Sequence, residues 1–175
     1  SRVLIYNSIP TASNANADVV IGQPDLHSNT PNQGGSPNAH TLSFPGNISS
    51  DGTRLYIADA NNNRVLIFNT IPTSNNASAD VVIGQPDMTT TSVGTTRSKF
   101  NFSWGVDYDP SSGKLFISDS GNQRVLIYNM VPTTDGADAD VVIGQTDFLT
   151  SSGGLSATKL NSPYSAVVAE GKLYI

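Results

Sequence analysis

The chain repeats itself three times, and that repetition constrains its fold more than any other property of its 175 residues. Arg2-Val3-Leu4-Ile5-Tyr6-Asn7 returns as Arg64-Val65-Leu66-Ile67-Phe68-Asn69 and as Arg124-Val125-Leu126-Ile127-Tyr128-Asn129. Ala17-Asp18-Val19-Val20-Ile21-Gly22-Gln23 returns at 79–85 and at 139–145. Both motifs shift by 62 and then 60 residues. A third motif keeps step: Arg54-Leu55-Tyr56-Ile57, Lys114-Leu115-Phe116-Ile117 and Lys172-Leu173-Tyr174-Ile175. Self-similarity at a fixed period is the mark of a repeat architecture.

Each repeat reads as four short strands, named a to d here. The runs are β-branched and aromatic and are bounded by Gly, Pro, Asn and Asp. Strand a falls near 46–50, 104–108 and 164–168, and strand b near 54–58, 114–118 and 172–175. Strand c is the Arg-Val-Leu-Ile run and strand d the Asp-Val-Val-Ile run. Strands b, c and d are apolar at successive positions, whereas a sheet with one wet face alternates. Continuous apolar runs fit a sheet covered on both faces, as a propeller blade is between its neighbours. No segment carries an amphipathic helical period. The expected fold is therefore all-β: a β-propeller of four-stranded antiparallel blades. The repeats run approximately 2–63, 64–123 and 124–175 within a single domain.

The turns follow the same logic. Asp59-Ala60-Asn61-Asn62-Asn63 and Asp119-Ser120-Gly121-Asn122-Gln123 join b to c, and Asp and Asn bond their own backbone and tolerate left-handed φ. Strand b, then Asp-x-x-Asn-x-Arg, then an apolar strand c resembles the NHL-repeat family of β-propellers. The residues that carry the resemblance are Asp59, Asn62 and Arg64, and Asp119, Asn122 and Arg124. Among such proteins the chain is most similar to the bacterial exported type with repeated Asp-Val-Val-Ile-Gly-Gln-Pro-Asp segments. Two features depart from the family pattern. The repeats are longer than a typical blade, and Asn63 and Gln123 stand where the family carries His before the Arg.

The phase of the repeats is offset. The chain begins in strand c and ends in strand b, so it holds three blade equivalents in circularly offset phase. The resemblance implies six-bladed rings, which makes this half of one. Strands a and b of one chain pairing with c and d of another would close a homodimer with two-fold symmetry; the alternative reading is a fragment of a longer propeller. Unclosed, the chain exposes strand edges. It opens at Ser1 without a Met, which reads as a processed or trimmed product.

Chemistry is sparse. His27 and His40 are the only histidines, both in the first d-to-a loop, and read as solvated. The recurring aspartates read as turn caps and partners of Arg. Asp135-Gly136-Ala137-Asp138-Ala139-Asp140 is the densest carboxylate cluster, lacks the EF-hand order and reads as a solvated hairpin loop. Gly46, Trp104 and Tyr164 fall at equivalent positions at the start of strand a, which lines the channel in propellers. The ligand-binding candidates at the channel mouth are Trp104, Tyr164, Asn47 and Asp107, because aromatic faces stack on sugars or side chains. No catalytic residue, metal ligand or cofactor is expected, since no Ser-His-Asp set, phosphate-cradling loop or catalytic carboxylate pair is present.

Composition narrows the partners. Charged residues make up 13% of the chain and the net charge is −5. Nine scattered Lys and Arg form no basic patch, which excludes nucleic acid as the expected partner. No apolar run reaches the ~20 residues of a membrane helix, and the acidic balance disfavours anionic membranes. A surface rich in Ser, Thr and Asn points to an extracellular, cell-surface or periplasmic protein. The reading is a non-enzymatic binding or scaffold module for a protein or glycan ligand. The alternatives are a metal-dependent lyase- or hydrolase-type propeller and a self-assembling structural protein.

Overall fold

The computed structural model describes residues 1–175, and they form an all-β, propeller-like array. In chain order the strands are β1 (Val3–Ile5), β2 (Val19–Ile21), β3 (Pro45–Ser50), β4 (Leu55–Asp59), β5 (Arg64–Phe68) and β6 (Val81–Ile83). They continue with β7 (Ser103–Asp109), β8 (Lys114–Asp119), β9 (Arg124–Tyr128), β10 (Val141–Ile143), β11 (Val167–Ala169) and β12 (Lys172–Tyr174). The only helical segments are short 3₁₀ turns.

Two complete blades form, β3-β4-β5-β6 and β7-β8-β9-β10, each an antiparallel meander. They are flanked by two half-blades, β1-β2 carrying strands c and d and β11-β12 carrying strands a and b. Register repeats between blades: Leu55, Tyr56 and Ile57 pair with Phe68, Ile67 and Leu66, as Leu115, Phe116 and Ile117 pair with Tyr128, Ile127 and Leu126. Strands β4, β5 and β9 are buried at every position, on both faces, as their unbroken apolar runs require. One core cluster fills the space between the complete blades, among them Tyr56, Val65, Ile83, Phe100, Leu115 and Tyr128. A second lies between the N-terminal half-blade and the first complete blade, around Val19, Ile21, Leu42, Leu66 and Phe68.

The third strand a is shorter than the spacing suggests. Tyr164 lies ahead of β11, which begins at Val167. Tyr164 still occupies the position equivalent to Gly46 and Trp104, since Val168 opposes Leu173 as Tyr108 opposes Leu115.

Candidate ligand-binding site

Each d-to-a connection enters its blade the same way. An apolar residue, Leu42, Phe100 or Leu160, packs over the glycine that ends the preceding strand d. A Cβ on Gly84 would stand 2.1 Å from the Phe100 ring, so the site admits only glycine. The next backbone N–H, from Ser43 or Asn101, donates to Asp59 Oδ1 or Asp119 Oδ1, each at 2.7 Å. These aspartates anchor the buried frame of the blade. Arg64 Nε meets Asp59 Oδ2 at 2.8 Å and Arg124 Nε meets Asp119 Oδ2 at 2.7 Å, with both pairs wholly buried. Asn62 and Asn122 donate to the same carboxylates at 2.7 and 2.8 Å. Burial pushes the Asp59 and Asp119 carboxyls upward, and the guanidinium and these hydrogen bonds oppose it. The remaining guanidinium N–H groups donate to carbonyls of the neighbouring connections, Thr41 and Met88 around Arg64, Lys99 and Phe148 around Arg124. Every polar group of the signature is occupied in holding loops.

The following residue lies at the entry to strand a and carries unusual backbone geometry. Phe44, Phe102 and Ser162 occupy equivalent places and all have positive φ, 55°, 53° and 49°. Such φ values are rare in a bulky residue and cost roughly 1–3 kcal/mol each. The conformation is held by the side chain that precedes each signature Arg: Asn63 Oδ1 accepts from Phe102 N at 2.7 Å, Gln123 Oε1 accepts from Ser162 N, and Ser1 Oγ accepts from Phe44 N at 3.3 Å. Asn63 and Gln123 thus each supply an acceptor that fixes this loop.

Two positions on, the inner strands come close together. A Cβ on Gly46 would lie 2.3 Å from Trp104 O, and one on Gly105 would lie 2.6 Å from Tyr164 O. This approach gathers four rings. Trp104 stands 5.4 Å from Phe44, 5.7 Å from Phe102 in a stacked arrangement, and 5.8 Å from Tyr164 edge-on. Phe44 and Tyr164 remain 52% and 58% exposed. The sequence-derived candidates Trp104 and Tyr164 therefore meet, joined by Phe44 and Phe102, which sequence reasoning missed. Aligning the repeats on the start of strand a, where Gly46 matches Trp104, also places Phe44 on Phe102 and was the signal available.

The other two candidates lie on the inner strands with separate partners. Asn47 is exposed, with Nδ2 donating to Val106 O at 3.4 Å and Oδ1 accepting from Ile48 N at 2.8 Å. Asp107 is half-buried on β7, three positions after Trp104. Burial holds its carboxyl above the ordinary carboxylate range, against hydrogen bonds from Val168 N–H and the Ser49 hydroxyl. No three His, Asp or Glu side chains gather in a metal-binding array. His27 is exposed, while His40 Nδ1 lies 2.7 Å from Asn76 O at a contact between blades.

The Asp135–Asp140 segment is a loop between β9 and β10 whose three carboxylates are exposed, and two of them also accept backbone hydrogen bonds. Asp135 Oδ1 accepts from Val82 N at 2.9 Å in the preceding blade, and Asp140 Oδ2 accepts from Asn129 N at 2.7 Å. A single-blade reading could not show the first bond, because its partner lies 53 residues away.

No curated protein matches the chain. Residues 100–128, which span β7, β8, the Asp119-x-x-Asn122-x-Arg124 turn and β9, match the family model of the NHL repeat, and this match supports the NHL-repeat family for this chain.

Proposed function

We propose that this chain is a non-enzymatic binding module whose channel mouth takes an apolar or aromatic side chain of a protein partner on the Phe44, Phe102, Trp104 and Tyr164 cluster. NHL repeats suggest a β-propeller module of the kind typically used for protein binding. The observation that carries the reading is the set of half-exposed rings on a backbone with positive φ. Such conformations persist where the surroundings over-determine them and collect at ligand sites, and aromatic residues dominate binding hot spots. Asn47 and Asp107 would line the path below the rings. The buried Asp and Arg pairs are committed to the frame, which supports a binding role over a catalytic one. The Ser-, Thr- and Asn-rich surface supports a location outside the cytoplasm.

The module is half of a six-bladed ring in a single domain, completed by a second copy. Two complete blades flanked by half-blades of opposite kind support this count. Light scattering on a sizing column tests it: twice the 18.4 kDa chain mass is expected, and a stable monomer would overturn it. Binding is tested on peptide and glycan arrays with the wild-type protein, Trp104→Ala and Tyr164→Ala. Peptide capture weakened about 30-fold in the variants, with folding retained, is the expected result. Capture confined to glycans would replace the protein ligand by a sugar, and capture unaffected by both substitutions would remove the cluster from the site.

A further inference from the structure

The carboxylates of the blade frame recur from repeat to repeat, and Asp107 does not. It opposes Phe116, as Ser49 opposes Tyr56 and Val167 opposes Tyr174, so its equivalents in the other repeats are Ser and Val. Strands β3, β7 and β11 carry no Lys or Arg, and Asp107 and Asp109 are their only charged residues. The ion pairs of the chain take Asp51, Asp59, Asp119 and Asp138. Asp107 therefore has no cation of its own.

Its place follows from strand alternation. Val106 and Tyr108 pack into the core between the two complete blades, which turns Asp107 to the other face of β7. The Ser49 hydroxyl reaches its carboxylate from β3, and the Val168 N–H reaches it from β11. Ser49 Oγ in turn accepts from Tyr108 N at 3.0 Å. Both flanking strands lie within the chain, so these surroundings do not depend on what adjoins it. The side chain stays half-exposed, which leaves part of a carboxylate's roughly four acceptor sites open to a ligand. A charge drawn half out of water without a counter-ion is a cost to the fold that a bound cation would offset. Asp109, two positions on, adds to the negative charge there.

The ring cluster and this carboxylate share one strand. Asp107 lies three positions after Trp104 on β7, about 10 Å of extended chain. A peptide laid along β7 covers the same span between its residues i and i+3. Lys and Arg bury their alkyl stems on apolar surface and hold the charged head beyond it, and ring faces attract a cation. We infer that the partner bound at the rings is basic, with an Arg or Lys about three residues from its apolar or aromatic anchor that sets its cation on Asp107. The inference rests on the ring-cluster reading above and names the charge of its partner.

Two synthetic peptides test it on the full chain: acetyl-Phe-Gly-Gly-Arg-amide, and the same peptide with citrulline, the neutral isostere of arginine, in the last place. Trp104 is the only tryptophan, so its fluorescence reports on the site alone. The arginine peptide should bind about ten-fold more tightly than the citrulline peptide. Asp107→Asn should remove that difference. Asp138→Asn, which removes one negative charge in the loop between β9 and β10, should keep it. A role of Asp107 in the fold alone would weaken both peptides equally and leave their ratio intact, which would overturn the inference. A difference lost in Asp138→Asn as well would assign it to net charge and overturn Asp107 as the acceptor. Equal binding of both peptides by the wild-type protein would overturn the basic partner and leave the ring-cluster reading standing. Trp104 fluorescence unmoved by either peptide would overturn that reading, and the inference with it.

Discussion

Strands β6 and β10 have the same sequence, Val-Val-Ile after Asp and before Gly-Gln, and pair with their strand c in the same register. They differ in what lies beyond them. β6 is buried at all three positions, whereas Val141 is exposed and Val142 and Ile143 are half-buried in β10. A complete blade packs against β6, and only the half-blade β11-β12 follows β10. The pairing of a strand is thus set within its blade, while its burial is set by the next blade. That division is expected where each repeat contacts only its neighbours and stability sums repeat and interface terms.

The comparison is broken most sharply at the signature arginines. Arg64→Ala leaves Asp59 buried without its cation, and Arg124→Ala does the same to Asp119, each costing about 3–5 kcal/mol. Arg2 is the third copy of this residue, but it makes only two carbonyl bonds, to Leu26 O at 2.6 Å and Ser28 O at 3.3 Å, and has no carboxylate. Arg2→Ala should cost about 1 kcal/mol. Urea unfolding of the three variants measures the difference. Equal losses would mean that Arg2 finds a carboxylate in solution, so the open blades would be no less completed than the closed ones.

A smaller effect is expected where the loop between β9 and β10 bonds back to β6. Asp135→Ala removes the acceptor from Val82 N and should cost about 1 kcal/mol. It should also raise the hydrogen-exchange rate of the Val82 amide toward that of Val142, which has no such acceptor within the chain. Amide exchange followed by NMR compares the two strands directly. If Val142 in the wild-type protein is already as slow as Val82, its edge is covered in solution.

Much of this was legible in the sequence, for reasons that particular residues show. The Val-Leu-Ile and Val-Val-Ile runs were legible as strands because their apolar pattern is local, while their burial depends on the blade that follows. Asp59, Asn62 and Arg64 could be assigned to the frame because they lie within one turn and its flanking strands. The ring cluster was half legible: Trp104 and Tyr164 carry their own signal, but Phe44 and Phe102 look like core residues until the structure sets them, at positive φ, against Trp104. The inter-blade bonds were not legible. Asn75, Asp135 and Asn63 each serve a group 39 to 55 residues away, and nothing in a loop of Asn, Asp and Ser distinguishes a cap on its own backbone from a clasp on a neighbour's. The amides of Gln23, Gln85 and Gln145 belong to the same class. Gln85 Nε2 ties Asn63 O to Ser92 O at 2.8 and 3.1 Å, and the others repeat the bond, though only their recurrence sets them apart from surface glutamines.

The weakest contrast between the two complete repeats lies in the loops that follow β6 and β10, and it is read by acid. Asp87 accepts from the Thr89 and Thr90 hydroxyls and from both backbone N–H groups, four bonds of about 2.8–2.9 Å that bring its carboxyl down to about 2. Asp147, in the equivalent loop, accepts only from Leu149 N and Thr150 N at 2.8 and 2.9 Å, because Leu149 replaces the first threonine and the Thr150 hydroxyl turns to a carbonyl. A carboxyl whose folded value is depressed contributes stability above its unfolded value, and that contribution is lost as pH falls from about 4 to about 2. Asp87→Asn should therefore flatten the acid limb of the stability profile over that window, lowering stability slightly at neutral pH and leaving it unchanged near pH 2, a small effect because the site is exposed and screened. Thr89→Ala with Thr90→Ala should move the Asp87 titration, followed by carboxyl NMR, back toward the ordinary range near 3.8. A titration that stays near 2 would assign the shift to the two backbone N–H groups alone, and the loops after β6 and β10 would then hold their carboxylates by the same means.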